Sequence, residues 1–352
     1  MKNKVLITGG AGFIGSNLAD YLLRKNYEVS IFDNFVREGT KSNADWLIQK
    51  YHGVKVITGD IRNEKDLIFA VKDKDVIIHL AAQVAVTTSV TDPRTDFDIN
   101  ALGTLNVLEA VRKNERKPIV IFSSTNKVYG GMENVKIIEK KTRYAYDNLP
   151  SGVSEKEPLD FHSPYGCSKG AADQYIRDYE RIYDIPTVVF RQSCIYGPRQ
   201  FGVEDQGWVA WFIIALTLGK KITVYGDGKQ VRDILFVEDL VRLFEIAIRK
   251  IKISRGKIYN VGGGIKNTIS VWYEFGPILA KLFGYKIPVK FSDWRPGDQK
   301  VFISDIRYVE KEFYWKPPSG RSPGPPAGRP AAPRIGRGPK SISAGWPCPA
   351  AG

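Results

Sequence analysis

A chain of 352 residues, 43% hydrophobic and 12% aromatic, can bury a large core and suits two domains better than one. No apolar run reaches the ~20 residues that a membrane span requires; the longest candidate, Trp208–Leu218, has the length of a buried helix. Cys167, Cys194 and Cys348 are odd in number and widely spaced, which points to neither a disulfide framework nor a zinc site. The formal charge of +14 does not require a nucleic acid: six of the cations lie between residues 316 and 352, where there is no Asp or Glu, and the remaining +8 is spread over mixed-sign helices such as NEKDLIFAVKDKD. The start, MKNKVLITGGAG, reads as a strand and a glycine loop rather than a signal peptide. We therefore expect a cytoplasmic protein with reduced thiols, no metal, no membrane and no nucleic-acid partner.

Taken in chain order, Lys4–Thr8 is a short β-rich run, Phe13–Lys25 carries apolar residues at helical spacing, and Glu28–Phe32 is again a strand. The alternation continues through VKVITGDI, NEKDLIFAVK, DVIIHLAA, a long helix around ALGTLNVLEAVRKN, and PIVIFSST. Near-continuous apolar strands separated by helices predict an α/β protein, a doubly wound parallel sheet covered on both faces. One more strand is expected over Pro186–Tyr196, after which the rhythm loosens into turns such as YGDGK and GGGIKN. The expected organisation is a first domain of residues 1–190 with 230–262 and a smaller mixed α/β domain of residues 191–229 with 263–316. From residue 316 onward, Pro, Gly, Ala and Arg make up 27 of 37 residues. Such a segment cannot bury enough apolar surface to offset its ordering entropy, so 317–352 is expected to be disordered. Its GC-rich codon usage against an AT-rich body points to a frameshift or a joining artefact.

Gly9, Gly12 and Gly15 stand as G-x-x-G-x-x-G between the first strand and the first helix, which begins with Phe13 and Ile14. A backbone that must turn sharply and approach a pyrophosphate requires glycines there, and the helix N-terminus favours the phosphate charge. Asp33 follows at the end of the second strand, 18 residues past Gly15, where a carboxylate can take ribose hydroxyls and repel a 2′-phosphate. The pattern predicts a Rossmann domain that binds NAD rather than NADP.

This glycine spacing resembles the extended short-chain dehydrogenase/reductase family, whose members modify sugar nucleotides. The resemblance runs from residue 1 to about 315 and implies further cofactor positions: Asn34 after the acid, Asp60 and Ile61 around adenine, and Leu80, Ala81 and Ala82 of HLAA beneath the cofactor. It adds Asn100 of N-x-x-G-T and Ser123 at the end of the fifth strand. It also implies a homodimer or homotetramer built on the helix bearing Tyr165 and the long helix before it. A further helix is expected after Trp315, where this chain carries its Pro/Gly-rich tail.

The family's Tyr-x-x-x-Lys pattern occurs four times, at Tyr21/Lys25, Tyr51/Lys55, Tyr165/Lys169 and Tyr225/Lys229. Only SPYGCSKGAADQY opens a helix at the right place, 40 residues past Thr125, so Tyr165 and Lys169 are the candidate pair. A phenol with a pKa of ~10 is a poor base at neutral pH, and an adjacent ammonium stabilises its phenolate. Lys169 is thus expected to lower the pKa of Tyr165 and to hold the nicotinamide ribose, while Tyr165 takes a proton from a sugar hydroxyl. Thr125, or alternatively Ser124, is expected to hydrogen-bond the same oxygen.

Two residues narrow the chemistry. The family's 4,6-dehydratases carry an Asp-Glu pair after the threonine, but here stand Asn126 and Lys127. An amide transfers no proton, so water elimination is not expected and epimerisation or dehydrogenation remains. The runs SSTNKVYG, DFHSPYGCSKGAADQY, FRQSCIYGPRQFG, DQGWVAWF and GKQVRD resemble the family's epimerases that act at C2 of a CDP-sugar, and cytosine rests on that resemblance alone. The resemblance assigns Arg232 and Arg295 to the diphosphate and Asp298 to the ribose of a nucleotide-sugar substrate, with Cys194, Gln206 and Trp208 lining its pocket. A 4-epimerase or decarboxylase of a UDP-sugar, and a non-catalytic NAD-binding regulator, are the alternatives.

Overall fold

Four of the first strands owe their position to side chains that are apolar on both faces. Val5, Leu6 and Ile7, or Val76, Ile77 and Ile78, are each wholly shielded from solvent, which only a sheet covered on two sides allows. The computed structural model describes residues 3–295 and 297–318, so the tail expected from residue 317 lies, beyond Pro318, outside the described residues.

In chain order the elements are β1 (Lys4–Thr8), α1 (Phe13–Arg24), β2 (Glu28–Asp33), α2 (Thr40–Lys50), β3 (Lys55–Thr58), α3 (Glu64–Val71) and β4 (Val76–His79). Next come α4 (Val86–Thr91), α5 (Pro93–Phe97), a π-helical turn (Asp98–Leu102), α6 (Gly103–Arg112), β5 (Ile119–Thr125) and a 3₁₀ turn (Asn126–Tyr129). A hairpin of β6 (Ile137–Glu139) and β7 (Tyr144–Tyr146) precedes α7 (Ser163–Tyr183) and β8 (Thr187–Gln192). The remainder comprises β9 (Cys194–Tyr196), α8 (Trp208–Thr217), β10 (Ile222–Tyr225), β11 (Val231–Phe236), α9 (Val237–Arg249), α10 (Ile251–Ser254) and β12 (Lys257–Val261). It closes with β13 (Thr268–Ser270), α11 (Phe275–Phe283), β14 (Val289–Ser292), β15 (Val301–Phe302) and α12 (Arg307–Phe313).

Seven strands form one parallel sheet in the order β12-β8-β5-β4-β1-β2-β3. One face packs on α1, α9 and α12, where Leu18, Leu240, Phe244, Phe313 and Trp315 are buried. The other packs on α3, α6 and α7 through residues such as Leu67, Val107, Leu108 and Ile176. Trp315 donates its indole N–H to the Asp239 carbonyl at 3.0 Å, which pins the chain beyond α12 onto α9.

The single strand predicted over Pro186–Tyr196 is in fact two. The chain breaks at Ser193, whose N–H bonds the Val261 carbonyl at 2.9 Å while its hydroxyl donates to Asp233. That bend releases β9 from the large sheet to pair with β11, which also pairs with β13 and β15. Hence Arg191 and Gln192 stay with the large sheet while Cys194, two residues on, belongs to the smaller one.

A buried ion pair ties α7 to the sheet. Arg191 donates from Nε and Nη2 to both oxygens of Asp173, each at 2.9 Å, with neither residue more than 3% exposed. Breaking such a pair from one side leaves an uncompensated buried charge, typically at a cost of about 3–5 kcal/mol. Arg191→Met should therefore lower the urea midpoint by that equivalent without changing the slope, and Arg191→Met with Asp173→Leu should recover most of the loss.

Candidate active site

The carboxyl ends of β1, β4 and β5 converge where α1 and α7 begin. At the first of these, Gly9 has φ +66° and lies so close to the β4 exit that an added Cβ would fall 2.8 Å from the Ala81 nitrogen. Gly15 is tighter still, with an added Cβ 2.3 Å from the Gly9 carbonyl oxygen. Gly12 caps α1 without any side-chain hydrogen bond, and the first turn holds no acid. The backbone N–H groups of Phe13, Ile14 and Gly15 are therefore presented to a ligand at the positive end of the helix dipole. Asp33, nearly buried, accepts from the N–H of Ala11 and of Phe35 at 3.0 Å each, and its burial raises its pKa. This cradle, which side chains would fill, fits a dinucleotide.

The other cofactor positions divide. Leu80, Ala81 and Ala82 line the β4 exit, with the Leu80 N–H on the Thr8 carbonyl at 3.1 Å. Asn34 donates to Asp60 at 3.0 Å, and Asp60 is also chelated by Arg62, which holds its carboxyl well below the usual range. Ile61 packs into the core beneath α6 rather than into the cleft. Asn100, on the π-helical turn, uses its amide within the protein: it accepts from the Gln83 N–H at 3.0 Å and donates to Asp96 and Ser168 at 3.1 Å. It braces the loop after β4 against α7.

Of the four Tyr-x-x-x-Lys pairs, only the one on α7 is buried, with Tyr165 8% and Lys169 4% exposed. The site is held by side chains that no pattern search flagged. Ser89 of α4 accepts the Tyr165 N–H at 3.1 Å, and Ser168 bonds to Asp96 of α5, which is buried with its pKa raised. Thr125 hydrogen-bonds Tyr165, and its hydroxyl caps the following 3₁₀ turn through the Lys127 N–H. Ser124 lies on the opposite face of the strand and donates to Asp173 at 2.7 Å, so the alternative of Ser124 as the third group is not supported by this geometry.

The expected effect of Lys169 on Tyr165 is also not what the structure shows. Lys169 points its ammonium at the Ser123 carbonyl, 2.7 Å away, and sits 4.2 Å from the centroid of the Phe122 ring. Burial pushes that ammonium down to about 7, against the opposing pull of Asp173 and Asp96. Tyr165 is pushed up to about 12 by burial, with the Thr125 hydrogen bond and the Arg37 charge acting downward and Asp96 upward. Lys169 does not contribute, because its charge is committed to the strand carbonyl.

The substrate-side residues fall into two groups. Arg232 of β11 pairs with Asp298 at 2.6 Å, and Lys127 lies beside them with its Nζ 3.4 Å from the Gly297 carbonyl and 3.5 Å from Gln299. Burial, with the like charge of Arg232, pushes Lys127 down to about 8. Cys194 shares this neighbourhood, where burial raises its thiol pKa. Arg295 instead stacks 3.8 Å over Tyr225 and pairs with Asp205 at 3.1 Å. Trp208 packs edge-on to Phe212 and Phe275, and Gln206 accepts from Arg37. Arg37 is the residue that the sequence reading missed; its only signal was a charged residue in an otherwise glycine-closed turn, NFVREG. Among the described residues no cluster of His, Cys, Asp and Glu could hold a metal, and no helix is long and apolar enough to cross a membrane.

A dinucleotide cradle facing a buried tyrosine and lysine defines an oxidoreductive, sugar-modifying class of enzyme. Residues 5–262 match the NAD dependent epimerase/dehydratase family, to which the chain belongs. The CDP-paratose 2-epimerase of Salmonella typhi is 45% identical over 323 residues, covering 89% of this chain and 94% of that protein. A putative UDP-glucose 4-epimerase of Methanocaldococcus jannaschii is 34% identical over 89% of this chain and 93% of its own. Among solved structures, the UDP-glucose 4-epimerase of Thermus thermophilus in complex with NAD superposes with a TM-score of 0.75 at 30% identity, covering 90% of this chain and 94% of that one. The protein is an NAD-dependent nucleotide-sugar epimerase.

Two outcomes follow for the cradle and the pair. Gly15→Ala, by forcing a Cβ onto the Gly9 carbonyl, should destabilise the loop by about 1–3 kcal/mol and lose bound NAD, read as the NAD-to-protein ratio after gel filtration. Lys169 binds fewer protons folded than unfolded between its lowered value of about 7 and the ordinary 10.5, so its burial penalty is complete below the first and gone above the second. In NAD-stripped protein, Lys169→Met should accordingly raise Tm relative to the parent at about pH 6.5, and the difference should shrink at about pH 10.

Proposed function

We propose that the protein interconverts CDP-paratose and CDP-tyvelose by inverting C2 of the sugar. The observation that carries this reading is the constellation around Thr125: a hydroxyl bonded to Tyr165, followed by an amide, Asn126, and an ammonium, Lys127, where water elimination needs paired carboxylates. The likeness to the Salmonella typhi CDP-paratose 2-epimerase supports the choice of substrate.

In this reading the phosphates of NAD rest on the N–H groups of Phe13, Ile14 and Gly15, and Asp33 takes the adenosine ribose hydroxyls. When bound, NAD supplies reversible two-electron oxidation of C2. Tyr165 removes the C2 hydroxyl proton and later returns it, Thr125 holds the same oxygen, and Lys169 turns from the Ser123 carbonyl to the nicotinamide ribose. Arg232 and Arg295 grip the diphosphate of the nucleotide sugar, Asp298 its ribose, and Gln206, Trp208 and Cys194 line the pocket formed with the small sheet. Because the sugar is oxidised and reduced by the same molecule, no external reductant is consumed. The exposed Tyr175, Ile182 and Tyr183 of α7 suit a homodimer or homotetramer, in the cytoplasm where nucleotide sugars are made.

Purified protein without added cofactor should equilibrate CDP-paratose with CDP-tyvelose, followed by the C2 proton signal in NMR. Tyr165→Phe should reduce the rate by about 10²–10⁴-fold, the usual contribution of a general base. In a panel containing UDP-glucose and dTDP-glucose, turnover of UDP-glucose alone would reject the CDP-sugar assignment.

A further inference from the structure

Residues 198–206 form a strap that runs from β9 across the cofactor-side loops to α8. Asn17 of α1 donates to the Pro198 carbonyl at 3.0 Å, Arg199 bonds back to Asn17 and stacks 4.0 Å over Trp46, and Asn43 of α2 donates to the Arg199 carbonyl at 3.4 Å. Phe201 then presses on Gly39, where an added Cβ would lie 2.2 Å from its ring. The last tie is Arg37, which donates to Gln206 just before α8 begins. Arg37 is thus the point where the loop after Asp33 meets the segment leading to Trp208.

That guanidinium is exposed, and within the described residues no carboxylate offsets it; the one charged group that it senses is Tyr165. Cations on a protein surface normally find an acid or face bulk water, whereas this one is fixed by an uncharged amide beside the reacting phenol. We propose that Arg37 is a positioning residue of the reaction, clamped by Gln206 so that its charge steadies the negative charge developing on the Tyr165 oxygen when the cleft is filled. In the open cleft solvent screens the pair; a bound nucleotide sugar displaces that water and strengthens the attraction. Lys169, drawn toward the Ser123 carbonyl, leaves room for a second cation to do this.

The inference rests on Tyr165 being the base. It predicts that Arg37→Gln, which keeps a donor for Gln206 but removes the charge, lowers kcat about ten-fold with KM little changed and moves the acidic limb of the pH–rate profile up by about one unit. Arg37→Lys, which keeps the charge, should restore most of both. Independently of turnover, NAD-loaded full-length protein labelled with ζ-¹³C tyrosine should show the resonance that Tyr165→Phe abolishes titrating at higher pH in Arg37→Gln. An unmoved resonance and limb in Arg37→Gln, or an Arg37→Lys as impaired as Arg37→Gln, would overturn the charge role; loss of NAD alone, with an unchanged profile, would do the same and make Arg37 a cofactor clasp. Normal turnover by Tyr165→Phe would instead defeat the proposed function itself, whereas an inactive Tyr165→Phe beside an unaffected Arg37→Gln defeats only this inference.

Discussion

Burial of α7 against the carboxyl end of the parallel sheet is the constraint on which the rest of the site depends. The helix brings a phenol, an ammonium and a carboxylate, Tyr165, Lys169 and Asp173, into a region nearly closed to water. Each would be costly there alone. Asp173 is matched by Arg191 and Ser124, Lys169 by the Ser123 carbonyl and the Phe122 ring, and the helix start is held by Ser89 and by the Asp96–Ser168–Asn100 cluster. The polar groups that seat the helix are therefore also those that set the protonation of its reacting side chains.

This arrangement leaves both members of the pair largely uncharged before ligands arrive. A phenol raised to about 12 and an ammonium lowered to about 7 are what desolvation does to an acid and a base in one pocket. Positive charge from the cofactor side must then shift Tyr165 toward its ionised form, which couples proton removal to occupancy of the cradle. The strap over residues 198–206 places Arg37 in a position to share that task, and it joins the loop that follows Asp33 to the pocket wall at Gln206. Cofactor and substrate subsites are mechanically connected through one short segment.

Much of this was legible from residue order. The alternating strands and helices, the glycine turn and Asp33 are local signals, because each depends on a period or on a backbone conformation that few residues adopt. The choice of Tyr165 among four identical patterns also came from local context, and burial of that pair alone agrees with it. Less legible were Ser124 and Asn100, which family position marked as ligands and which the fold uses as braces. A hydroxyl or an amide has the same sequence signature in either role; only the neighbours that it meets tell them apart.

The sequence by itself determined the sheet, the cofactor cradle, the reacting pair and the absence of an elimination acid–base couple, since these follow from apolar periodicity, glycine geometry and the chemistry of Asn126 and Lys127. Tertiary structure decided where charge acts. The break at Ser193 sent Cys194 to a second sheet, Lys169 turned to a strand carbonyl, and Arg37, 128 positions before Tyr165 in the chain, arrived beside it. Such contacts arise from how a strand bends and how a loop lies across a cleft, and the energy of a charge depends on its burial and its partners, neither of which is written in the residue order around it.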